Sequence, residues 1–390
     1  MIDKTIDERF LIRKKLHENP NFIIYKAVDL KNSSKVALKI DILPSENSLV
    51  THEREILSNL NHQASFPRVY VSGISQGLNY IAQSYLGKSL QHYFEQNGKL
   101  SLACILKIGD ELLLRIESLH KAGFVHRNLK PENIHVGYGT NWQSLFVIGY
   151  RTTTKYLEDN NEDHVHMRRT YALPENATYS SLNTLNKYVH SRRDDIESLI
   201  YMLIHFLSGK LPWLANKNAS PLEIKTIKES ISFGKLCDNC PTEFLAMLRY
   251  TRSLKFDEEP NYEMLRNSLS MLAIKNRIAK AYDWSIKQEK INFLYKVKKP
   301  KKIFQMSTDM KKYLTCAVPK IGAFSPKQIS LNRSLAFPSI GNESDCRSED
   351  TTAELVRTDT VELKTFPEFS NKAEILRLRQ EFLNSRKENA

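Results

Sequence analysis

The spacing of apolar positions changes twice along the 390-residue chain. Residues 9–86 contain short stretches in which apolar and polar side chains alternate, which is typical of strands, and one stretch with helical spacing. From 87 to 285, apolar residues recur every three or four positions, which predicts long helices. This order of patterns predicts an α+β fold with a small β-rich first lobe and a larger helical second lobe.

The C-terminal part follows neither pattern. Residues 286–370 mix lysine, serine, threonine and proline with isolated apolar residues, so we expect a basic and mostly disordered tail. Residues 371–389 instead predict an amphipathic helix, because Ile375, Leu378 and Phe382 fall on one face. Such a helix could dock on its own domain or bind a protein partner.

Two charged residues of the first lobe occupy positions that a packed structure would enclose. In KVALKI, Lys39 shares a strand face with Ala37, opposite to the apolar residues, and therefore faces a cleft. In HEREILSNL, Glu53 shares a helical face with apolar residues and needs a partner there. Together they fit a Lys–Glu pair that aims an ammonium group at phosphates.

Net charge indicates acidic partners only weakly. The chain has 57 Lys and Arg against 44 Asp and Glu, a formal charge of +13. Much of the excess lies in YKVKKPKKIF at 295–304, either a solvated linker or a nuclear-import or polyanion-binding segment. We expect protein partners and no nucleic-acid partner.

The sequence predicts neither a membrane span nor a metal site. The longest apolar stretch, at 198–207, is too short to cross a bilayer, and the N-terminus has no apolar signal core. Five scattered cysteines indicate reduced thiols, and the pair Cys237 and Cys240 has no matching ligands nearby. We therefore expect an intracellular protein, cytoplasmic or nuclear, without membrane contact.

Several ordered motifs resemble one known family. They are VALK ending at Lys39, Glu53, HRNLKPEN at 126–133, SRRDDIESLIYMLIHFLSGKLPW at 191–213 and TRSLKFDEEPNYEMLR at 251–266. This set resembles the eukaryotic protein kinases, and within them the casein kinase I superfamily, which includes the tau-tubulin kinases. In that family S-I-N replaces the usual A-P-E, and SLNT at 181–184 stands at this place. The resemblance covers residues 9–285 and implies a two-lobed kinase fold with nucleotide bound between the lobes.

The resemblance also implies which residues line the site. The nucleotide-binding positions would be Ala37, Lys39, Glu53, the gatekeeper Gln83, Tyr85 and Leu86 of the hinge at 84–87, Asn133 and Arg151, and the catalytic positions would be Asn128 and Lys130. Asp195 would brace the catalytic loop, and Arg252 would tie down the activation segment.

Three departures from the family pattern affect catalysis. In LHENPNFIIYKAV the glycine positions of the phosphate-covering loop fall on His17, Asn19 and Phe22, and Pro20 lacks a backbone donor. Asn128 replaces the aspartate that would accept the substrate proton, and a general base is worth about 3 to 5 kcal/mol of barrier.

The third departure removes the metal ligand. Gly149, Tyr150 and Arg151 stand where the family has D-F-G, so Asn133 is the only magnesium ligand that matches. We therefore expect no Mg²⁺ and at most weak ATP binding, with Arg151 as a possible metal-free neutraliser of phosphate charge.

The substrate side departs as well. Thr178 stands where the family has an arginine for acidic substrates, although Arg168, Arg169, Arg192 and Arg193 could form another basic pocket. For Arg192 and Arg193 a structural function at the start of a helix is the simpler interpretation.

These observations predict a casein kinase I-like pseudokinase that acts as a scaffold or allosteric regulator, with weakened or metal-independent ATP binding. Two alternatives stay open. One is a divergent, slow serine/threonine kinase that uses Lys39, Glu53, Lys130 and Asn133. The other is a nucleotide sensor that binds ATP without hydrolysing it.

Overall fold

A computed structural model describes residues 1–44, 48–60, 66–158, 163–171, 174–216 and 218–285. The predicted disordered tail at 286–370 and the predicted helix at 371–389 lie outside these residues.

Strands dominate the first part of the chain and helices the rest. The strands are β1 (Thr5–Ile6), β2 (Phe10–Glu18), β3 (Phe22–Asp29), β4 (Ser34–Asp41), β5 (Val69–Ser75), β6 (Leu78–Ser84), β7 (Phe124–Val125), β8 (Ile134–Val136), β9 (Leu145–Val147) and β10 (Thr154–Lys155). The helices are α1 (Leu49–Leu60), α2 (Leu90–Asn97), α3 (Leu102–Lys121), α4 (Leu182–Leu185), α5 (Arg192–Ser208), α6 (Pro221–Ser230), α7 (Phe233–Leu236), α8 (Thr242–Ser253) and α9 (Tyr262–Lys275). Single 3-10 turns lie at Pro131–Asn133, Gly139–Asn141, Tyr150–Thr152 and Pro212–Leu214.

The N-lobe is a twisted antiparallel sheet with α1 packed against it. Its strand order is β1-β2-β3-β4-β6-β5, so β4 lies between β3 and β6. The alternation in β4 buries Val36, Leu38 and Ile40 in the apolar core of the sheet. Lys39 consequently lies on the other face of β4, where α1 packs, as the sequence pattern predicts.

The C-lobe is built around α5. The stretch at 198–207 belongs to this helix and is buried almost all round, because α3 and α8 pack against it. The carboxylate of Asp194 accepts the Ser191 backbone N–H at 2.7 Å, and Gly209, at φ 75°, ends the helix. Within the residues that the structure describes, no helix combines the length and apolarity that a membrane crossing requires.

The two lobes are joined by a short extended segment after β6. The Gly87 N–H donates to the carbonyl of Val136 in β8 at 2.7 Å, and the Nδ1 of His135 lies 2.9 Å from the Gly87 carbonyl. These contacts fix the segment to the C-lobe and place the edge of the N-lobe sheet above the loops that follow β7 and β9. The two-lobed α+β fold predicted from the sequence is confirmed.

His205 makes the stability of the C-lobe dependent on pH. It lies on α5, where the Tyr179 hydroxyl lies 2.7 Å from His205 Nδ1 and the Phe94 ring packs edge-on at 4.6 Å. Burial lowers the pKa of His205 to about 4. Because the unfolded imidazole titrates near 6.5, acid favours the unfolded chain: the stability is complete above that pH and falls as the pH drops toward 4.

We expect His205→Gln, which keeps an acceptor for Tyr179, to lose less stability than wild type between pH 7 and pH 5, by about 1 to 2 kcal/mol. Urea unfolding at both pH values measures this difference. Equal losses in the two proteins would show that His205 is not a source of the acid sensitivity.

Candidate active-site cleft

Lys39 and Glu53 form a buried ion pair at the back of the cleft. The Lys39 ammonium, from β4, contacts Glu53 Oε2, from α1, and both side chains are only 3% exposed. Gln83 Nε2, from β6, donates to Glu53 Oε1 at 3.3 Å. The paired arrangement predicted from strand and helix periodicity is therefore present, and it connects the sheet to α1.

The phosphate side of Lys39 is covered by Phe22. The Lys39 ammonium lies 3.6 Å from the centre of the Phe22 ring, which contacts Val50 and Ile81 in a small apolar cluster. A cation over an aromatic face is stabilised there, more strongly when it is desolvated. In this arrangement the ammonium is held between a carboxylate and a ring, so Phe22 has to move before Lys39 can contact a phosphate group.

The turn between β2 and β3 uses its own backbone donors. Asn19 Oδ1 accepts the N–H groups of Asn21 and Phe22, both at 2.9 Å, and the Asn19 N–H donates to the Phe22 carbonyl at 3.1 Å. Pro20 has no N–H to offer. A glycine-rich loop binds phosphates through free backbone donors, whereas here they are bonded within the turn.

The hinge end of the cleft is more open. Ala37 lies opposite Gln83 in the β4–β6 register, and the Tyr85 ring packs edge-on against Tyr138 at 5.0 Å. The backbone N–H and C=O of Leu86 make no hydrogen bond to any residue that the structure describes. These groups are available to a planar ligand, so the two ends of the cleft differ in what they can bind.

Asp195 holds the catalytic loop from below. Its carboxylate accepts the backbone N–H groups of His126 at 2.7 Å and Arg127 at 3.0 Å, and it lies 2.9 Å from Nε2 of both His120 and His190. Burial alone would raise the pKa of Asp195, but the charges and hydrogen bonds of His190 and His120 hold it well below its usual range.

The turn that Asp195 braces carries backbone strain. Arg127 has a φ of 69°, a left-handed conformation that is costly for a residue with a side chain. Its N–H is bonded to Asp195, and its guanidinium donates to the Thr152 carbonyl at 3.2 Å. Surrounding contacts therefore impose the turn that presents the next residue, Asn128, to the cleft.

Asn128 is paired with a carboxylate that sequence reasoning missed. Asn128 is 5% exposed, and its Nδ2 donates to Glu175 Oε2 at 2.8 Å. Its Oδ1 is buried and has no hydrogen-bond partner among the described residues. Glu175 comes from the activation segment, defined here as residues 149–185. Only the fold brings it to Asn128, because LPEN in the sequence carries no distinguishing signal.

Arg151 also contacts Glu175 instead of standing free. Its guanidinium donates to the same oxygen, Oε2, at 2.5 Å, and the two side chains are 30% and 34% exposed. A carboxylate thus lies beside the catalytic position after all, although it belongs to another segment and is neutralised by an arginine.

Gly149 leaves no room for a metal-binding side chain. Its φ is 88°, and a Cβ placed on it would lie 2.9 Å from the amide atoms of Asn133. Asn133 Nδ2 in turn donates to the Asn128 carbonyl at 2.8 Å. In the described part of the chain, no group of three or more His, Cys, Asp or Glu is placed to hold a metal ion. These residues do not fit a magnesium site.

The neighbouring Tyr150 is packed, not mobile. Its ring is fully buried edge-on to His126 at 5.5 Å, and its hydroxyl donates to the Val147 carbonyl at 2.7 Å. Burial raises the pKa of Tyr150 well above its usual range. The loop after β9 is therefore anchored in the core on both sides of Gly149.

Positive charge accumulates at the mouth of the cleft. The ammonium group of Lys130 makes no hydrogen bond or ion pair to a described residue. Partial burial, followed by the charges of Lys39, Arg151 and Lys130, lowers the pKa of His17. Arg151 and Lys130 thus lie close enough to His17 to disfavour its protonation, whereas Lys39 is buried against Phe22.

The substrate side of the activation segment is fixed by a buried lysine, also missed in the sequence. Lys228 is 2% exposed and donates to the carbonyls of Ala177, Thr178 and Ser180 at 3.1, 2.9 and 2.6 Å. Its ammonium lies 4.6 Å from the Trp213 ring centre. Burial lowers the pKa of Lys228 well below its usual range, and the three carbonyls give every N–H of its amino group a partner.

The arginines proposed for this region are mainly structural. Arg192 donates to the Asp257 carbonyl at 2.6 Å and Arg193 to the Leu254 carbonyl at 2.6 Å, which supports their structural interpretation. Arg252 binds Glu197 Oε1 at 2.8 Å, and this oxygen also accepts the Leu182 N–H at 3.1 Å. Arg252 thus holds the activation segment through Glu197.

A family comparison agrees with this geometry. The model of the protein kinase domain matches residues 22–307, well over half of the chain.

We expect Gly149→Ala to destabilise the protein by about 2 to 4 kcal/mol, because it combines an unfavourable φ with a clash against Asn133. Gly77→Ala is the matched control: Gly77 has φ 75° but open space around it, so about 1 kcal/mol is expected. Denaturant midpoints of both variants measure the effects. Equal losses would mean that the contact with Asn133 has no energetic consequence.

We expect Asn128→Asp to destabilise the protein by about 1 to 3 kcal/mol, because it replaces a donor to Glu175 by a second carboxylate. Glu175→Gln in the same chain should recover most of the loss. A double-mutant cycle in urea measures the coupling, and additive effects would argue against the contact.

Proposed function

Because this chain belongs to the protein kinase family, we propose that it is a pseudokinase of the casein kinase I type, which binds partners without transferring phosphate. The observation that carries this proposal is the Gly149 position. A kinase needs a metal-binding carboxylate there, and this chain has a glycine packed against Asn133. The residues present at this position do not fit the metal that phosphate transfer requires.

The state of the nucleotide cleft supports weakened, metal-independent ATP binding. Among the residues that the structure describes, none bonds the backbone groups of Leu86 at the hinge, while Phe22 covers Lys39 and Asn19 accepts the N–H groups of the turn. The base of a nucleotide could therefore bond to the backbone of the hinge, whereas its phosphates would find neither Lys39 nor the N–H groups of the turn available. Losing metal stabilisation and loop donors together removes several kcal/mol from phosphate binding.

The retained framework supports a scaffold or allosteric function. Asp195 braces a catalytic loop, and Lys228 and Arg252 hold the segment that would face a protein substrate. These contacts preserve the shape of a substrate groove where the catalytic groups are missing. Ser181, which caps α4 in SLNT, supports assignment to the casein kinase I type. Binding of a partner by residues 371–389 stays part of the proposal.

One observation favours a second candidate, a slow serine/threonine kinase. The Lys39–Glu53 pair is intact, and the Glu175 carboxylate lies beside Asn128, where it could accept a proton from a hydroxyl group. Arg151 would compensate for part of the phosphate charge. This candidate requires Phe22 to leave Lys39.

The deciding experiment incubates the full chain at high concentration with labelled ATP, casein, and magnesium or manganese. Lys39→Ala and Glu175→Gln preparations run in parallel. We expect no label on casein or on the chain in any preparation. Label that depends on both Lys39 and Glu175 would establish the slow kinase and overturn the pseudokinase proposal.

A thermal-shift series with ATP tests whether the chain binds nucleotide without a metal, which the proposal and the nucleotide-sensor alternative both require. We expect ATP to stabilise the protein weakly and to the same extent with magnesium or with EDTA. Stabilisation that needs magnesium would contradict the absence of a metal site.

A further inference from the structure

Two donors in the cleft converge on a single anionic oxygen. Arg151 donates to Glu175 Oε2 at 2.5 Å and Asn128 Nδ2 donates to the same atom at 2.8 Å. One donor is charged and can bind with two nitrogens, and the other belongs to a nearly buried residue on a braced turn. This combination of an arginine fork and a fixed amide is suited to the oxygens of a phosphate group.

The present occupant of this position is weakly held. The side chains of Arg151 and Glu175 are each about one third exposed. Ion pairs at such exposure contribute about 0 to 1 kcal/mol, because solvent and salt screen them. Oε1 of Glu175 makes no hydrogen bond to a described residue. A doubly charged ligand with three oxygens can therefore displace a singly charged carboxylate that uses one.

The local charge fits such a ligand. With Glu175 displaced, Arg151 and the unpaired Lys130 supply two positive charges, and a phosphate ester carries about −1.5 to −2 at neutral pH. The buried Oδ1 of Asn128 has no partner in the described structure and needs a donor from an occupant. The N–H of a peptide beside the phosphate, or the phosphate hydroxyl of its singly protonated form, would supply one.

The position of the anion site favours a protein ligand over a nucleotide. Asn128 and Glu175 both lie on the C-lobe side, and the activation segment beside them is fixed by Lys228. The nucleotide phosphates would instead approach through Lys39, which Phe22 covers. Arg151 is partly exposed and does not touch Phe22, so a phosphorylated side chain can reach it from solvent without displacing that ring.

We infer that Arg151, Asn128 and Lys130 form a binding site for a phosphorylated side chain of a partner protein, with Glu175 as an internal anion that the phosphate displaces. The inference rests on the proposed function in one respect, namely that the chain binds a protein partner without transferring phosphate to it. Transfer of label from ATP tests that function separately, whereas the present site is tested by binding alone.

The test uses fluorescence anisotropy with the full chain in EDTA. Three labelled peptide mixtures are degenerate at every position except the centre, which is phosphoserine, serine or glutamate. We expect the phosphoserine mixture to bind at least about tenfold more tightly than the other two, the difference that one strong charge-assisted hydrogen bond confers.

Substitutions at the site should change this preference in opposite directions. Arg151→Gln and Lys130→Gln should each weaken phosphoserine binding, the former by about tenfold or more. Glu175→Gln should strengthen it several-fold, since it removes the competing carboxylate. Arg249→Gln, which removes an exposed guanidinium from α8, is the matched control and should have no effect. Arg151→Lys, which keeps the charge but loses the fork, serves if Arg151→Gln does not fold.

Two competitors identify the source of the phosphate. Inorganic phosphate should displace the phosphoserine mixture only at much higher concentration, and metal-free ATP should compete no better than inorganic phosphate. Equal binding of the serine and phosphoserine mixtures, or no response to Arg151 substitution, would overturn the inference. Competition by ATP at lower concentration than the peptide would also overturn it, in favour of a nucleotide site.

Discussion

The buried carboxylate of Asp195 is the interaction on which the shape of the cleft depends. It lies at the start of α5, the helix that the C-lobe is packed around, and accepts two consecutive backbone N–H groups from the catalytic loop. Nε2 of His120, from α3, and Nε2 of His190, which lies between α4 and α5, complete its contacts. Since an unpaired buried charge is very costly, these four contacts form together. They impose the left-handed turn at Arg127 and hence the position of Asn128.

The contacts of Asp195 are present, but the charged residues around them differ from those of the kinase pattern. A carboxylate is absent at 128 and at 149, an arginine is present at 151, and Glu175 from a different segment neutralises that arginine. Each substitution fits its neighbours: Asn128 can donate to Glu175, and Gly149 fits against Asn133. Restoring single acids would therefore conflict with the surrounding residues.

The cleft shows a related division between its ends. Burial of Lys39 requires compensation, which Glu53 supplies by charge and Phe22 by its ring. With Glu53 and Phe22 in contact with it, the buried charge of Lys39 is compensated without a phosphate group. At the hinge, by contrast, the backbone N–H and C=O of Leu86 have no hydrogen-bond partner among the described residues. The hinge end of the cleft thus offers hydrogen-bonding groups to a ligand, whereas the end at Lys39 does not.

The sequence by itself determined the elements and the main pairings along them. Period-two alternation placed Lys39 away from the sheet core, helical spacing placed Glu53 on the packed face of α1, and a run of ordered motifs indicated the two-lobed fold. Local patterns of this kind depend on neighbours within a few residues, so they can be predicted from the sequence. Glu175, Lys228 and the covering position of Phe22 were decided only by the tertiary structure. Glu175 meets Asn128 across 47 positions, and Lys228 reaches Ser180 across 48. Nothing in a stretch such as LPEN or EIKTIKES distinguishes these residues from solvated charges, because their partners are set by the packing of distant segments around α5.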